Sequence, residues 1–150
     1  MRVVIQRVQH ASVTIDGNLK SKIGKGLLLL VGIEDRDTQE DIEWLCKKIA
    51  HLRIFDDENG VMNKSILETG GDILAVSQFT FMARTKLGIR PSYIDAAKPD
   101  ISVPLYDMFV KTLSEAMGKE VKTGIFGADM KIELINNGPV TILIDSKNRI

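Results

Sequence analysis

The sequence predicts a single layered α/β domain. Three observations carry that expectation. Apolar and polar residues alternate near both ends of the chain, at Ala11 to Ile15 and at Met130 to Leu134, which is the period-two signature of strands with one buried face. Leu27 to Ile33 is apolar on both faces and therefore suits a central strand. Two further stretches, following Asp37-Thr38 and Pro104, carry apolar residues at helical spacing.

In chain order, residues 2–8 read as a strand, and Ala11 to Ile15 as a second one closed by Asp16-Gly17, with Leu19 to Ile23 returning as its partner. Gly24-Lys25-Gly26 precedes the central strand but lacks the Gly-x4-Gly-Lys-Ser/Thr spacing of a phosphate loop. Asp37 and Thr38 both offer an N-cap, with Glu40 and Asp41 in the first turn of a helix that buries Ile42, Leu45, Cys46 and Ile49 and closes at His51. Leu52 to Phe55 reads as a short strand before the acidic turn Asp56 to Gly60. Ile73 to Phe79 is a buried strand that turns polar at its end, and Thr80 to about Asp100 shows no period. Pro104 fits the first turn of a second main helix with the stripe Leu105, Met108, Phe109, Thr112, Leu113 and Ala116, ending near Gly118. A strand over Val121 to Thr123 follows, and the last two strands flank Gly138-Pro139, where a tight hairpin is the simplest reading. Proline cannot donate to a ladder, so an edge, a bulge or a crossing is the alternative.

Composition narrows function. The 150 residues form one domain, 1–150, with 44% hydrophobic and 27% charged residues, which is ordinary for a globular protein. Twenty basic residues balance twenty acidic ones, so nucleic-acid contact must come from a local patch. The single cysteine excludes an intrachain disulfide and fits a reducing cytoplasm. No apolar run is long enough for a membrane span, and the first residues turn polar too early for a signal peptide. Cys46 lies on a buried helical face without a basic neighbour, which suits a packed thiol and not a nucleophile. His10 and His51 have no ligand-spaced partner, so neither a metal site nor another cofactor is expected.

Chemistry is therefore sought in the long loop. Ser77 to Pro91 joins a polar strand end to the one basic segment, with Arg84, Lys86 and Arg90. Ser77 and Thr80 are hydroxyls without an elbow motif or a nearby histidine, so a serine-hydrolase triad is disfavoured and simple satisfaction of backbone groups is an equal alternative.

Ser77-Gln78-Phe79-Thr80-Phe81 and Asn136-Asn137-Gly138-Pro139-Val140-Thr141 resemble the two signature motifs of the D-aminoacyl-tRNA deacylase family. The likeness covers nearly the whole chain, including Val4 to Val8, Ile23 to Leu27, Leu52 to Phe55, Arg90-Pro91-Ser92 and Thr123 to Met130. Departures are Phe81 where leucine is usual, Tyr93 for phenylalanine and Asn137 for aspartate. The resemblance implies a barrel-like arrangement of mixed, mainly antiparallel sheets with two main helices, and a cytoplasmic homodimer acting on the 3′ end of aminoacyl-tRNA. It implies that Ser77, Gln78, Phe79 and Thr80 form the catalytic segment. It also implies that a cis Gly138-Pro139 peptide, steadied by Arg7, enters the partner's site and excludes L-side chains while admitting D-amino acids and glycine. On this reading main-chain N–H groups at Phe79 and Thr80 stabilise the oxyanion, Phe126 and Met130 line an adenine pocket, and Arg84, Lys86 and Arg90 meet tRNA phosphates. Ordinary core packing for Phe126 and Met130, and a surface ion pair for Arg7, are the alternatives. Two other functions remain open: a non-catalytic dimeric RNA-binding protein of the same fold, and a general esterase using Ser77 or Thr80.

Overall fold

A computed structural model describes residues 1–150. The chain runs β1 (Arg2–Ile15), β2 (Asn18–Ile23), β3 (Gly26–Gly32), α1 (Gln39–His51), β4 (Phe55–Asp56), β5 (Met62–Lys64), α2 (Ile66–Thr69), β6 (Asp72–Ser77), α3 (Pro99–Met117), β7 (Lys122–Thr123) and β8 (Lys131–Asp145). The main sheet has the order β2-β1-β3-β6-β7, with β8 along the other side of β1. Most pairings are antiparallel, whereas β3, β6 and β7 run parallel because helical crossovers join them. Ser21 on β2 donates to the Thr123 carbonyl on β7, bringing the two ends of the sheet together into a nearly closed barrel.

Two cores result. The larger packs Val3, Ile5, Leu27, Leu29, Val31, Ile73 and Ala75 of the sheet against Ile42, Leu45 and Ile49 of α1 and Phe109 and Leu113 of α3. The smaller, formed by Val8, Ala11, Val13, Ile23, Leu28, Leu74 and Val76, fills the barrel. Cys46 is buried at the α1–α3 contact, and desolvation pushes its thiol up to about 12, so it stays protonated.

Several sequence expectations need correction. Residues 2–15 form one continuous strand, bulged near Val8 to His10, and not two strands. Leu52 caps the end of α1, and only Phe55–Asp56 pairs as a strand. α3 starts at Pro99, which takes the favoured first position, so Pro104 lies inside the helix on its exposed side. The buried row is Ser102, Tyr106, Phe109, Leu113 and Met117, while Met108 and Ala116 face outward. The short α2 escaped the periodicity, although its Ser65/Glu68 capping box and left-handed Gly70 mark both ends. The hairpin at Gly138-Pro139 is also overturned. β8 is one strand, and both its halves pair with β1.

The α1 start is fixed by Asp41, which accepts from the Thr38 N–H at 2.8 Å and from Lys147 Nζ at 2.9 Å. Burial by itself would raise this carboxyl, but hydrogen bonds from Ser146, Lys147 and Thr38 outweigh it and hold Asp41 well below the usual carboxylate range. A carboxyl with a lowered folded pKa adds stability above its unfolded value near pH 4 and loses it as pH falls further. Lys147→Met should therefore cost about 1–2 kcal/mol at pH 7, discounting for the partly exposed ammonium. Urea titrations of the variant and the native protein should converge as the pH drops below about 4.

Candidate functional site

β6 delivers the first motif to the carboxyl-terminal edge of the parallel strands, the usual location of ligand sites in such sheets. Ser77 is the last strand residue, paired with Val31, and the Gln78 N–H still reaches the Val31 carbonyl at 2.8 Å. The chain then tightens into a 3₁₀ turn, Phe79–Met82. The N–H groups of Phe79 and Thr80 open that turn, so they have no preceding carbonyl within it to bond. Gln78 Nε2 donates to Thr80 Oγ1 at 2.9 Å and fixes the hydroxyl. Phe79 is 55% exposed and meets Tyr93 edge to face, with ring centroids 5.1 Å apart. Gly32 lets the turn approach β3, since a Cβ there would lie 2.9 Å from Phe81 Cβ.

The same edge collects Phe126. β7 pairs Thr123 with Ala75 and ends there, three residues before Phe126. Phe126 is half-buried, packing against the larger core and against Tyr106, centroids 6.1 Å apart, and Tyr106 in turn donates to the Ala75 carbonyl at 2.9 Å. Met130 packs on the barrel core, its sulfur against Gly124. Both residues are core-supporting side chains with one side left open.

The basic segment divides. Arg84 makes a bidentate pair with Asp95, and its main chain exchanges hydrogen bonds with Ser92, pinning the base of the loop. Its charge is thus spent inside the loop. Lys86 and Arg90 are exposed at the tip.

The second motif sits at the opposite edge. Gln6 pairs with Thr141 and Val8 with Asn136, leaving Asn137 to Val140 bulged opposite Arg7. The Gly138-Pro139 peptide is cis, and Gly138 has φ 138°. Arg7 is 8% exposed, with Nε donating to the Asn137 carbonyl at 2.9 Å and Nη1 to the Ile54 carbonyl at 2.7 Å. Asp56 Oδ1 is 3.4 Å from the same Nη1. The Asn136 side chain bridges the neck of the bulge, accepting from the Val140 N–H at 2.8 Å and donating to the Val140 carbonyl at 3.2 Å. Asn136, Tyr93 and the Ile54 carbonyl are supports that reading individual residues did not single out. An Asx residue shortly before a Gly-Pro step was the available signal for the first.

Arg7 pairs with Leu27 and Leu27 with Ile73, so the bulge lies level with the start of β6, while Phe79 lies beyond its end. At about 3.3 Å per residue, Ile73 to Phe79 spans roughly 20 Å. One chain does not bring its two motifs together.

Fold and site thus define a class: a mixed, nearly closed barrel presenting main-chain groups at two distant edges, with no cluster of three His, Cys, Asp or Glu arranged to hold a metal. Residues 4–145 match the D-Tyr-tRNA(Tyr) deacylase family, and the chain belongs to it. It is 71% identical over 149 residues to a D-aminoacyl-tRNA deacylase of Bacteroides thetaiotaomicron and 59% identical to that of Porphyromonas gingivalis, covering 99% of both chains in each case. Among solved structures it resembles a c-Myc DNA unwinding element binding protein, with TM-score 0.92, 38% identity and coverage of 97% of this chain and 98% of that one. A probable eukaryotic D-amino acid tRNA deacylase shares the fold, with TM-score 0.82 and 20% identity.

Proposed function

We propose that this protein hydrolyses the ester joining a D-amino acid, or mischarged glycine, to the 3′ end of tRNA, as a cytoplasmic homodimer. The observation that carries the proposal is the separation of the motifs. Gly138-Pro139 and the Phe79–Thr80 turn are too far apart within one chain to act on one ligand, so a shared site requires a second copy. Family membership supports the reaction class.

In the proposed site, the Gly138 and Pro139 carbonyls of one subunit receive the substrate's α-ammonium, and the Phe79 and Thr80 N–H groups of the other face the ester carbonyl. With two substituents of the α-carbon fixed, a D-side chain points to solvent and an L-side chain strikes the Gly138-Pro139 backbone. Glycine has no side chain to reject. Water, assisted by the terminal ribose 2′-hydroxyl, adds to the ester carbonyl, and the tetrahedral oxyanion is held by the two N–H groups. The acyl carbon–oxygen bond then breaks, the 3′ oxygen takes a proton, and the amino acid leaves as its carboxylate. Thr80 acts by position, oriented by Gln78. Phe126 and Met130 flank the terminal adenine, and Lys86 and Arg90 meet acceptor-stem phosphates. Because Arg84 is paired with Asp95, its part is to hold the loop in place.

The test is deacylation of D-Tyr-tRNA beside L-Tyr-tRNA. Turnover of the D-ester alone is expected, with no acyl-Thr80 species in a rapid quench. Turnover of both esters, or of neither, would overturn the reading, and trapped acyl-Thr80 would overturn the mechanism. Unreactivity toward small activated esters separates this enzyme from a general esterase, and turnover itself separates it from a non-catalytic RNA binder.

A further inference from the structure

The end of α1 carries a basic surface that the proposed site does not use. A depression of about 450 Å³ is lined by Trp44, Lys47, Lys48, His51, Leu52 and Arg53 without a single carboxylate. Lys47, Lys48, His51 and Arg53 are exposed. Trp44 forms the apolar floor, with Lys48 Nζ 5.5 Å and the Arg149 guanidinium 4.3 Å from its ring centroid. Glu43, the nearest acidic residue along the helix, is engaged by Gln39 Nε2 at 2.8 Å. In a chain of zero net charge this is a local positive field. Stabilisation of the helix end accounts for His51, whose Nδ1 lies 2.9 Å from the Lys47 carbonyl, but Arg53 stands beyond the helix, where its acidic neighbour Glu68 is already engaged by the Ser65 N–H at 2.6 Å, and needs another reason.

Position supplies that reason. Arg7 bonds the Asn137 carbonyl and the carbonyl of Ile54, the residue after Arg53, so the basic surface adjoins the Gly138-Pro139 bulge at one edge of the sheet. We infer that Lys47, Lys48 and Arg53 form a second contact to the tRNA phosphate backbone, made by the subunit that contributes Gly138-Pro139 and not by the one that contributes Phe79 and Thr80. This rests on the shared-site reading above. A tRNA whose 3′ end lies between two subunits passes both the Lys86–Arg90 loop of one and the α1 surface of the other, so it is gripped from two sides. The partner is a polyanion recognised by charge and without base readout.

The test uses the full-length protein with Lys47→Ala, Lys48→Ala and Arg53→Ala combined. Binding of uncharged tRNA is measured between about 50 and 200 mM salt, a range over which phosphate contacts dominate affinity. Hydrolysis of a D-aminoacyl-adenosine, too short to reach α1, is measured in parallel. The expected result is tRNA affinity lowered by about tenfold or more, a salt slope reduced by about one for each phosphate no longer neutralised, and an unchanged rate on the short ester. Unchanged affinity and slope would overturn the inference, as would loss of activity on the short ester together with tRNA binding, which would place the three residues in support of the site itself. Failure of the native protein to cleave the D-ester would instead overturn the shared-site reading, while the affinity comparison still decides whether α1 binds tRNA.

Discussion

Gly138→Ala should lower deacylation of D-Tyr-tRNA by about 100-fold or more, the scale expected when a reacting group is displaced by about 1 Å. A Cβ at this position would lie 2.8 Å from Val140 Cγ2 and 3.0 Å from Arg7 Nη2, and φ 138° is a conformation that side chains resist. The Val140 methyl cannot yield easily, because Val140 packs on the larger core and its own N–H is held by Asn136. The peptide must shift, and with it the carbonyls assigned to the substrate ammonium. Folding should suffer less, by about 1–3 kcal/mol, since the strain is confined to a bulge. Single-turnover kinetics beside thermal unfolding separates the two effects. Full activity in a folded Gly138→Ala protein would remove this peptide from the site.

Arg7→Ala should cost about 2–4 kcal/mol of stability and most of the activity. The guanidinium is almost fully enclosed and satisfies two main-chain carbonyls that belong to different segments, Asn137 in the bulge and Ile54 after α1. Truncation leaves both acceptors without their donor. Arg7→Lys is the discriminating variant. It keeps the charge beside Asp56 but replaces a planar fork by a single ammonium that cannot hold both carbonyls in their present directions. Lysine should therefore recover stability in part while activity stays low, measured by urea unfolding and by D-Tyr-tRNA deacylation at a temperature where the variant is folded. Recovery of full activity by lysine would reduce Arg7 to a counter-charge for Asp56.

The fold was legible where one face of an element meets one environment. α1 carries its apolar stripe, the Thr38 cap and the final histidine in the sequence, and they recur in the structure, whereas Asp37, the other N-cap candidate, accepts from the Met1 ammonium and the Glu34 N–H instead. Legibility failed where an element changes environment along its length. β1 looked like two strands because its buried row loses alternation at Arg7 and Val8, β8 because Gly138-Pro139 interrupts an otherwise regular row, and α3 hid its first turn because the exposed Ile101 and half-buried Val103 blur the stripe. The Ser77–Thr80 segment was traceable as a strand that turns polar at its end. Arg7 was placed beside Gly138-Pro139 by the family resemblance and not by its own neighbours in the sequence, since its partners are carbonyls brought in from residues 54 and 137, and main-chain acceptors leave no mark in a sequence.

The bulge at Asn137 to Val140 has a second job in the architecture. Before it, Met130, Ile132 and Leu134 lean on the barrel core; after it, Val140, Ile142 and Ile144 lean on the helices. On β1 the change of side falls in the same place, between Ile5, which faces the helices, and Ala11, which faces the barrel. The segment thus works as a phase shifter joining two cores, and its length is as constrained as its composition. Removing or adding one residue would rotate the following row to the opposite face and expose Ile142 and Ile144 while burying Thr141 and Leu143. Variation that spares the fold must therefore preserve the number of residues between Asn136 and Thr141, so the architecture itself guards the length of the motif independently of any selection on catalysis.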